Sequence, residues 1–112
     1  MARCTNEQVD AALADYLAFV SRRWRITKAI LFGSRARNEH LLDSDVDLIL
    51  VSPDFAVLPF RTRLGEALEG WTADVDLEVL CYTPEEFERK RHDLGIVQQA
   101  VVEGRELQVD LV

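Results

Sequence analysis

The sequence has few of the residues that build disulfide frameworks or thiolate and imidazole metal sites. Its 112 residues include only two cysteines and two histidines. Cys4 and Cys81 lie far apart in the chain, and neither has a partner at CxxC spacing. His40 and His92 are equally isolated, so we assign them surface roles. Two free thiols are typical of a reducing compartment, and we therefore expect a cytoplasmic protein.

Long apolar segments and an excess of positive charge are also missing. No stretch approaches the ~20 apolar residues that cross a bilayer, and residues 1–20 lack the unbroken apolar core of a signal peptide. The chain carries 13 basic against 20 acidic residues, a formal net charge of −7. This balance argues against extensive nucleic-acid binding, which relies on clustered lysine and arginine. A small anionic ligand held through a divalent cation stays compatible with it, because the cation reverses the local charge.

The composition that remains is that of one globular domain spanning residues 1–112, with 48% hydrophobic and 29% charged residues. Apolar residues recur at helical spacing in some segments, and in others they alternate or run continuously as in strands. The predicted order is helix 5–24, strand 26–32, a turn with a short helix at 33–44, strand 45–52, helix 54–70, strand 73–82, helix 83–94, helix 95–104 and a last strand at 105–112. This order predicts an α/β (α+β) fold, in which a small mixed β-sheet is flanked by helices.

Two helices carry start signals in the sequence. Thr5 and Gln8 stand at the spacing of a capping box. In the later helix, Thr83 is the predicted N-cap and Pro84 occupies the first helical position, followed by two glutamates. Glutamates in the first turn stabilise the positive end of the helix dipole, which makes this start the best marked in the chain.

Carboxylates gather at the beginning of the second and third predicted strands. Asp45 and Asp47 are two residues apart, so their side chains share one strand face. Two carboxylates ~5 Å apart repel by roughly 3 kcal/mol at an effective dielectric of ~20. Asp74, Asp76 and Glu78 share one face of the third strand in the same way. If the two strands are neighbours, the carboxylates converge, and oxygen ligands of this kind suit Mg²⁺ or Mn²⁺ in a two-metal transfer site.

These motifs also allow interpretations without a catalytic role. A lone DxD pair is commonly a solvated turn, and Gly33-Ser34 could be an ordinary turn rather than a phosphate site at a helix N-terminus. A calcium loop is excluded, because its sixth and twelfth positions, which need Gly and Glu, hold Leu48 and Asp54. A P-loop is excluded too, since "GSRARN" lacks the second glycine and the Lys-Ser/Thr pair.

The combination of motifs resembles a known family. "GSRAR" followed by "DSDVDLILV" is similar to the minimal nucleotidyltransferases of the polymerase-beta superfamily, and "VDLEVLCYTPEEFERKR" is similar to their third strand and following helix. The resemblance covers roughly residues 26–92 and implies a single domain with the nucleotidyltransferase fold. Asn38 stands where such proteins often carry glycine. This difference is small in its effect, because Asn adopts the left-handed backbone conformation more readily than most residues do.

The resemblance implies a metal-dependent transfer reaction. Asp45 and Asp47 would coordinate two Mg²⁺ ions, with Mn²⁺ as an alternative. Asp76 is implied as the third catalytic carboxylate, which completes the catalytic metal site and assists deprotonation of the acceptor hydroxyl. No role is assigned to Asp74 or Glu78. Metal ions and geometry would then supply most of the catalysis.

The nucleotide and the acceptor are implied in the same way. Gly33 and Ser34 would bind the triphosphate of ATP, and Arg35 and Arg37 would neutralise phosphate charge, although both arginines also suit a solvated helix. Chains of this size resemble the antitoxin half of MNT–HEPN toxin–antitoxin pairs, which transfer AMP to a tyrosine of the partner toxin. Two alternatives stay open: a catalytically idle module that binds its partner, and transfer to a small molecule such as an aminoglycoside, for which the chain would have to form a homo-oligomer.

Overall fold

The structure is a computed structural model and describes residues 6–33, 45–93 and 95–107. Its elements are α1 (Asn6–Arg23), β1 (Lys28–Phe32), β2 (Val46–Val51), a 3-10 helix (Pro53–Val57), α2 (Phe60–Leu68), β3 (Leu77–Tyr82), α3 (Pro84–Lys90), α4 (Ile96–Glu103) and β4 (Arg105–Leu107). The predicted α+β fold with a small mixed sheet is confirmed. The predicted segment 33–44 lies outside the described residues except for Gly33, as does Thr5 of the first predicted cap.

The four strands form one sheet in the order β3-β2-β1-β4. β2 and β3 are parallel neighbours, as the convergence of their carboxylates requires, while β1 pairs antiparallel with both β2 and β4. The registers place Glu78 of β3 level with Asp47 of β2, and Asp47 opposite Phe32 of β1. These three residues therefore form a row across three strands at one end of the sheet.

Both faces of the sheet are covered by helices, and β2 is the central buried strand. Alternate residues of a strand point to opposite faces, so Val46, Leu48 and Leu50 pack with α1 in one cluster. Ile49 and Val51 pack on the other face with side chains of α3 and α4. Burial on both faces explains why the apolar run of β2 is unbroken. Asp47 shares its face with Ile49 and therefore lies on the α3–α4 side.

The prediction of one continuous helix over residues 54–70 is wrong. The chain forms the 3-10 helix Pro53–Val57, then two residues that belong to neither helix, one of them extended, and only then α2. The extended residue is Leu58, with φ −110° and ψ 132°. It precedes Pro59, whose ring disfavours the helical conformation of the residue before it. The proline therefore divides the predicted helix into two.

The third strand begins later than predicted. β3 starts at Leu77, so Asp74 and Asp76 precede the strand instead of lying within it. The chain nevertheless follows β2 at that point, because Val46 N donates a hydrogen bond of 2.8 Å to the carbonyl oxygen of Asp76. Asp76 is thereby held beside the first residue of β2.

A buried arginine fastens α2 to the edge of β3. Arg63 is only 6% exposed, and its guanidinium donates to the carbonyl oxygens of Leu58 at 2.9 Å and Cys81 at 3.2 Å. It also forms an ion pair of 2.7 Å with Glu86 of α3. This pairing holds the pKa of the Glu86 carboxyl below its ordinary value. Buried charge is tolerated here because each partner is hydrogen-bonded.

The predicted start of α3 and the predicted end of α4 are confirmed, whereas α3 ends at Lys90, before the predicted residue 94. The Thr83 hydroxyl accepts from Glu86 N at 3.2 Å, and the Glu86 carboxylate accepts from Thr83 N at 2.8 Å, which completes a capping box. α4 ends at Gly104, as predicted. Cys81 is a buried free thiol, and Cys4 lies outside the described residues. No helix within residues 6–33, 45–93 and 95–107 is long and apolar enough to span a membrane.

Candidate active site

The predicted carboxylates lie at the end of the sheet where β2 and β3 begin and β1 ends. Asp47 is the second residue of β2, and Asp45 lies immediately before the strand and is exposed. Since Val46 is level with Leu77, continuing the parallel register by one residue sets Asp45 level with Asp76. The structure thus brings Asp45, Asp47 and Asp76 to one end of the sheet, and it adds Glu78 directly beside Asp47.

The electrostatics of this end of the sheet centre on Asp47. Its side chain is half-buried, and burial is the first cause that raises the pKa of its carboxyl to about 6. A hydrogen bond with the Glu78 carboxyl and the charges of Glu78 and Asp45 raise it further. Within the described residues, no lysine or arginine forms an ion pair with Asp47. The carboxylates therefore repel one another without a compensating cation from the described part of the chain.

Gly33 packs against this carboxylate. It follows the last residue of β1 and has a φ of 76°, in the left-handed region that favours glycine. A Cβ built on Gly33 would overlap the Asp47 Oδ2 atom. Both the backbone conformation and the contact thus require glycine, and the first residue of the predicted phosphate-binding pair is held within van der Waals reach of the predicted metal ligand.

Gly33 also borders an open hollow between β1 and α4, which we call the Gly33 hollow. It has a volume of about 140 Å³ and is lined by Phe32, Gly33, Ile96, Gln99, Ala100 and Glu103. The α4 residues in this lining share one helix face, since they lie three or four positions apart. Phe32 faces the same side of the sheet as Asp47, because the two residues are paired in register.

The residues present fit a divalent cation by their chemistry. Within the described part of the chain, no group of three or more His, Cys, Asp or Glu side chains is arranged as a ready metal-ligand set. The donors at this end of the sheet are carboxylate oxygens, the type that Mg²⁺ prefers, and Mg²⁺ needs only one or two of them when phosphate and water complete its shell. The repulsion between Asp47 and its neighbouring carboxylates, which no described cation compensates, is the observation that favours a cation there.

Some of the predicted site residues lie outside the described ranges, and some site features were not predicted. Ser34, Arg35 and Arg37 lie outside the described residues, so their predicted roles stay predictions. The contact between Glu78 and Asp47 was not predicted, although the alternation of carboxylates from Asp74 to Glu78 already placed Glu78 on the relevant face. The contribution of α4 was also missed. Its residues carry no motif, and only the fold places them beside β1.

Comparisons with known proteins identify the family and the fold of the chain. A family model described as "Nucleotidyltransferase domain" matches residues 13–112. A crystal structure from Sulfolobus solfataricus, described as that of a candidate nucleotidyltransferase, matches with a TM-score of 0.51 and 23% sequence identity. This match covers 72% of the present chain and 78% of the other, and at this identity it shows a shared fold. No curated protein sequence gives a significant match.

Proposed function

The chain belongs to the nucleotidyltransferase domain family, and from this premise we propose that it transfers AMP from ATP to a hydroxyl group, with Mg²⁺ as cofactor and a tyrosine of a HEPN-type toxin as acceptor. The reaction class, nucleotidyl transfer, comes from the family. The observation that carries the proposal is the row of Glu78, Asp47 and Phe32, with Gly33 packed against the Asp47 carboxylate. This row places carboxylates that suit a cation next to a glycine whose backbone a phosphate can approach closely.

Asp45 and Asp47 would hold two Mg²⁺ ions, or Mn²⁺ in their place, and Asp76 would complete the catalytic position. The bound cation supplies neutralisation of phosphate charge and a lower pKa for the attacking hydroxyl. The half-buried position of Asp47 suits this role, because an electrostatic interaction strengthens as water is excluded. β2 is packed on both faces, so Asp47 is presented from a rigid strand and Asp45 immediately precedes it.

The remaining residues bind the phosphates, orient the reactants and accept the proton of the acceptor hydroxyl. Gly33 has no side chain, so phosphate oxygens can approach its backbone closely, and Ser34, Arg35 and Arg37 are proposed to complete the phosphate contacts. The acceptor oxygen attacks the α-phosphorus, and the bond from that phosphorus to the bridging oxygen breaks as pyrophosphate leaves. The hydroxyl proton passes to the carboxylate of Asp76. Positioning of the two reactants supplies much of the acceleration in such a reaction.

The protein acceptor is supported by the resemblance of residues 26–92 to minimal nucleotidyltransferases of the antitoxin type. The test is intact-mass spectrometry of the protein encoded by the adjacent reading frame, co-expressed with this chain. We expect that protein to gain the mass of one AMP group, attached to a tyrosine, when the wild-type chain is present. The Asp47→Asn variant should abolish the mass gain.

The matched control is Asp10→Asn, which removes an exposed carboxylate on α1, an element on the other face of the sheet. This variant should modify the partner as the wild type does. A partner that stays unmodified while purified chain, ATP and Mg²⁺ still release pyrophosphate would contradict the proposed acceptor only. Absence of both products would contradict nucleotidyl transfer by this chain.

A further inference from the structure

The Gly33 hollow shares a wall with the candidate active site. Gly33 lies against the Asp47 carboxylate and also lines the hollow. Phe32, which also lines the hollow, stands opposite Asp47 in the sheet. A ligand whose phosphates lie at Gly33 and Asp47 would therefore have this hollow beside it.

The lining of the hollow is unsuited to phosphate. None of the described residues that line it is a lysine or arginine, and the charged residue among them is Glu103, whose carboxylate does not attract an anion. The other lining residues are mainly apolar, and Ile96 is 59% exposed to solvent. Cavities of about 150 Å³ accept a benzene ring in other proteins, so an open hollow of about 140 Å³ can receive a flat ring system. The chemistry favours a neutral aromatic group with a polar edge.

Gln99 supplies the polar contact that such an edge needs. Its Nε2 donates to Glu103 Oε2 at 3.3 Å, one helical turn further along α4, which orients the amide. The second Nε2 hydrogen and the Oε1 atom stand side by side as a donor and an acceptor. Adenine presents the complementary pair, the N7 acceptor and the 6-amino donor, to an amide side chain.

We infer that the Gly33 hollow is the subsite for the nucleobase of the substrate, with apolar contact from Phe32 and Ile96 and with Gln99 hydrogen-bonding the amino edge of adenine. The inference rests on the proposed function, because the base is placed by the phosphates of the same nucleotide. It goes beyond that function by assigning α4 the selection of ATP over other nucleotides.

The experiment is equilibrium binding by calorimetry in the presence of Mg²⁺. Three ligands are compared: ATP, inosine triphosphate, in which an oxygen replaces the 6-amino group, and inorganic tripolyphosphate, which has no base. Each is titrated into the wild-type chain, into Gln99→Leu and into Gln98→Leu. Gln98 is the matched control, since it neighbours Gln99 on α4 and does not line the Gly33 hollow. Leucine is a good helix former, so neither change should disturb α4.

The wild-type chain should bind ATP more tightly than inosine triphosphate, and both more tightly than tripolyphosphate. Gln99→Leu should raise the dissociation constant for ATP by roughly 5- to 150-fold, the range expected for a lost bidentate contact to adenine. The same change should leave tripolyphosphate within about twofold of wild type and remove most of the preference for ATP over inosine triphosphate. Gln98→Leu should behave as the wild type with all three ligands.

Two results would overturn the inference alone: ATP binding no tighter than tripolyphosphate, or Gln99→Leu weakening tripolyphosphate as much as ATP. In both cases a ligand still binds with Mg²⁺, and the proposed function stands. If neither ATP nor tripolyphosphate binds in the presence of Mg²⁺, the proposed function fails and the nucleobase subsite fails with it.

Discussion

Replacing Asp47 with asparagine should stabilise the metal-free protein. In the wild type, partial burial, Glu78 and Asp45 raise the pKa of the Asp47 carboxyl to about 6, against an ordinary value of about 3.9 for an aspartate. The folded state therefore binds this proton more tightly than the unfolded state does. Ionisation of Asp47 at neutral and alkaline pH consequently lowers the free energy of unfolding, and asparagine removes that loss while keeping the size of the side chain.

The magnitude follows from the shift in pKa. A difference of roughly two pKa units corresponds to about 3 kcal/mol if fully expressed. The side chain is only half-buried, so solvent screening reduces the effect, and we expect about 1 kcal/mol. For a domain of this length, that gain raises Tm by roughly 4 °C.

The pH dependence has a definite sign. Below the pKa of Asp47 in the unfolded state, the carboxyl is protonated in both states and does not lower the free energy of unfolding. As the pH rises from about 4 to about 6, the carboxyl ionises in the unfolded state first, and the free energy of unfolding falls. The stability gain of Asp47→Asn should therefore be full at about pH 8 and vanish near about pH 4. Asp10→Asn, which changes an exposed carboxylate on α1, should show no comparable pH-dependent gain.

The assay is thermal unfolding of both variants and the wild type across this pH range, in chelator and then with Mg²⁺ and ATP. Added Mg²⁺ and ATP should raise the Tm of the wild type by mass action and leave that of Asp47→Asn nearly unchanged. A metal-free Asp47→Asn protein that is less stable than the wild type at about pH 8 would refute the reasoning. It would mean that the Asp47 carboxylate accepts stabilising hydrogen bonds or pairs with a cation of the chain.

Two further predictions concern backbone and packing. Gly33→Ala should destabilise the fold by more than 1 kcal/mol, since left-handed geometry alone costs about 1–2 kcal/mol in a residue with a Cβ, and it should abolish the Tm increase with Mg²⁺ and ATP. The matched control is Gly65→Ala, at a helical glycine with open space around it, which should stabilise the protein by up to about 1 kcal/mol. If both variants change the Tm by the same amount, the role of Gly33 is contradicted. Arg63→Met should lower the free energy of unfolding by about 2–3 kcal/mol in urea titrations, because it removes the ion pair of Glu86 and the donors to the carbonyl oxygens of Leu58 and Cys81. Arg61→Met on the exposed side of α2 should change this free energy little. Because Arg63 lowers the pKa of Glu86, the deficit should narrow as pH falls through that lowered pKa, and a pH-independent deficit would contradict the ion pair as its cause.

Local signals in the sequence predicted the elements that depend on short-range chemistry. The start of α3 was predicted from an N-cap hydroxyl, a proline at the first helical position and glutamates in the first turn, all within four residues. β2 follows from an apolar run too long and too β-branched for a loop. Pro59 carried an equally local signal that the predicted helix 54–70 did not use, and the division of that helix at Leu58 is the result.

Long-range contacts decided the rest. The sequence by itself predicted that the side chains of Asp45 and Asp47 point to the same side, since side-chain direction alternates along an extended chain. Only the tertiary structure decided that Glu78 lies beside Asp47, because that depends on the register between two strands about thirty residues apart. It also decided that Gly33 contacts the Asp47 carboxylate and that Gln99 borders the same site from α4. The sequence thus supplied the chemical groups of the site, and packing of β1, β2 and α4 set which of them can act together.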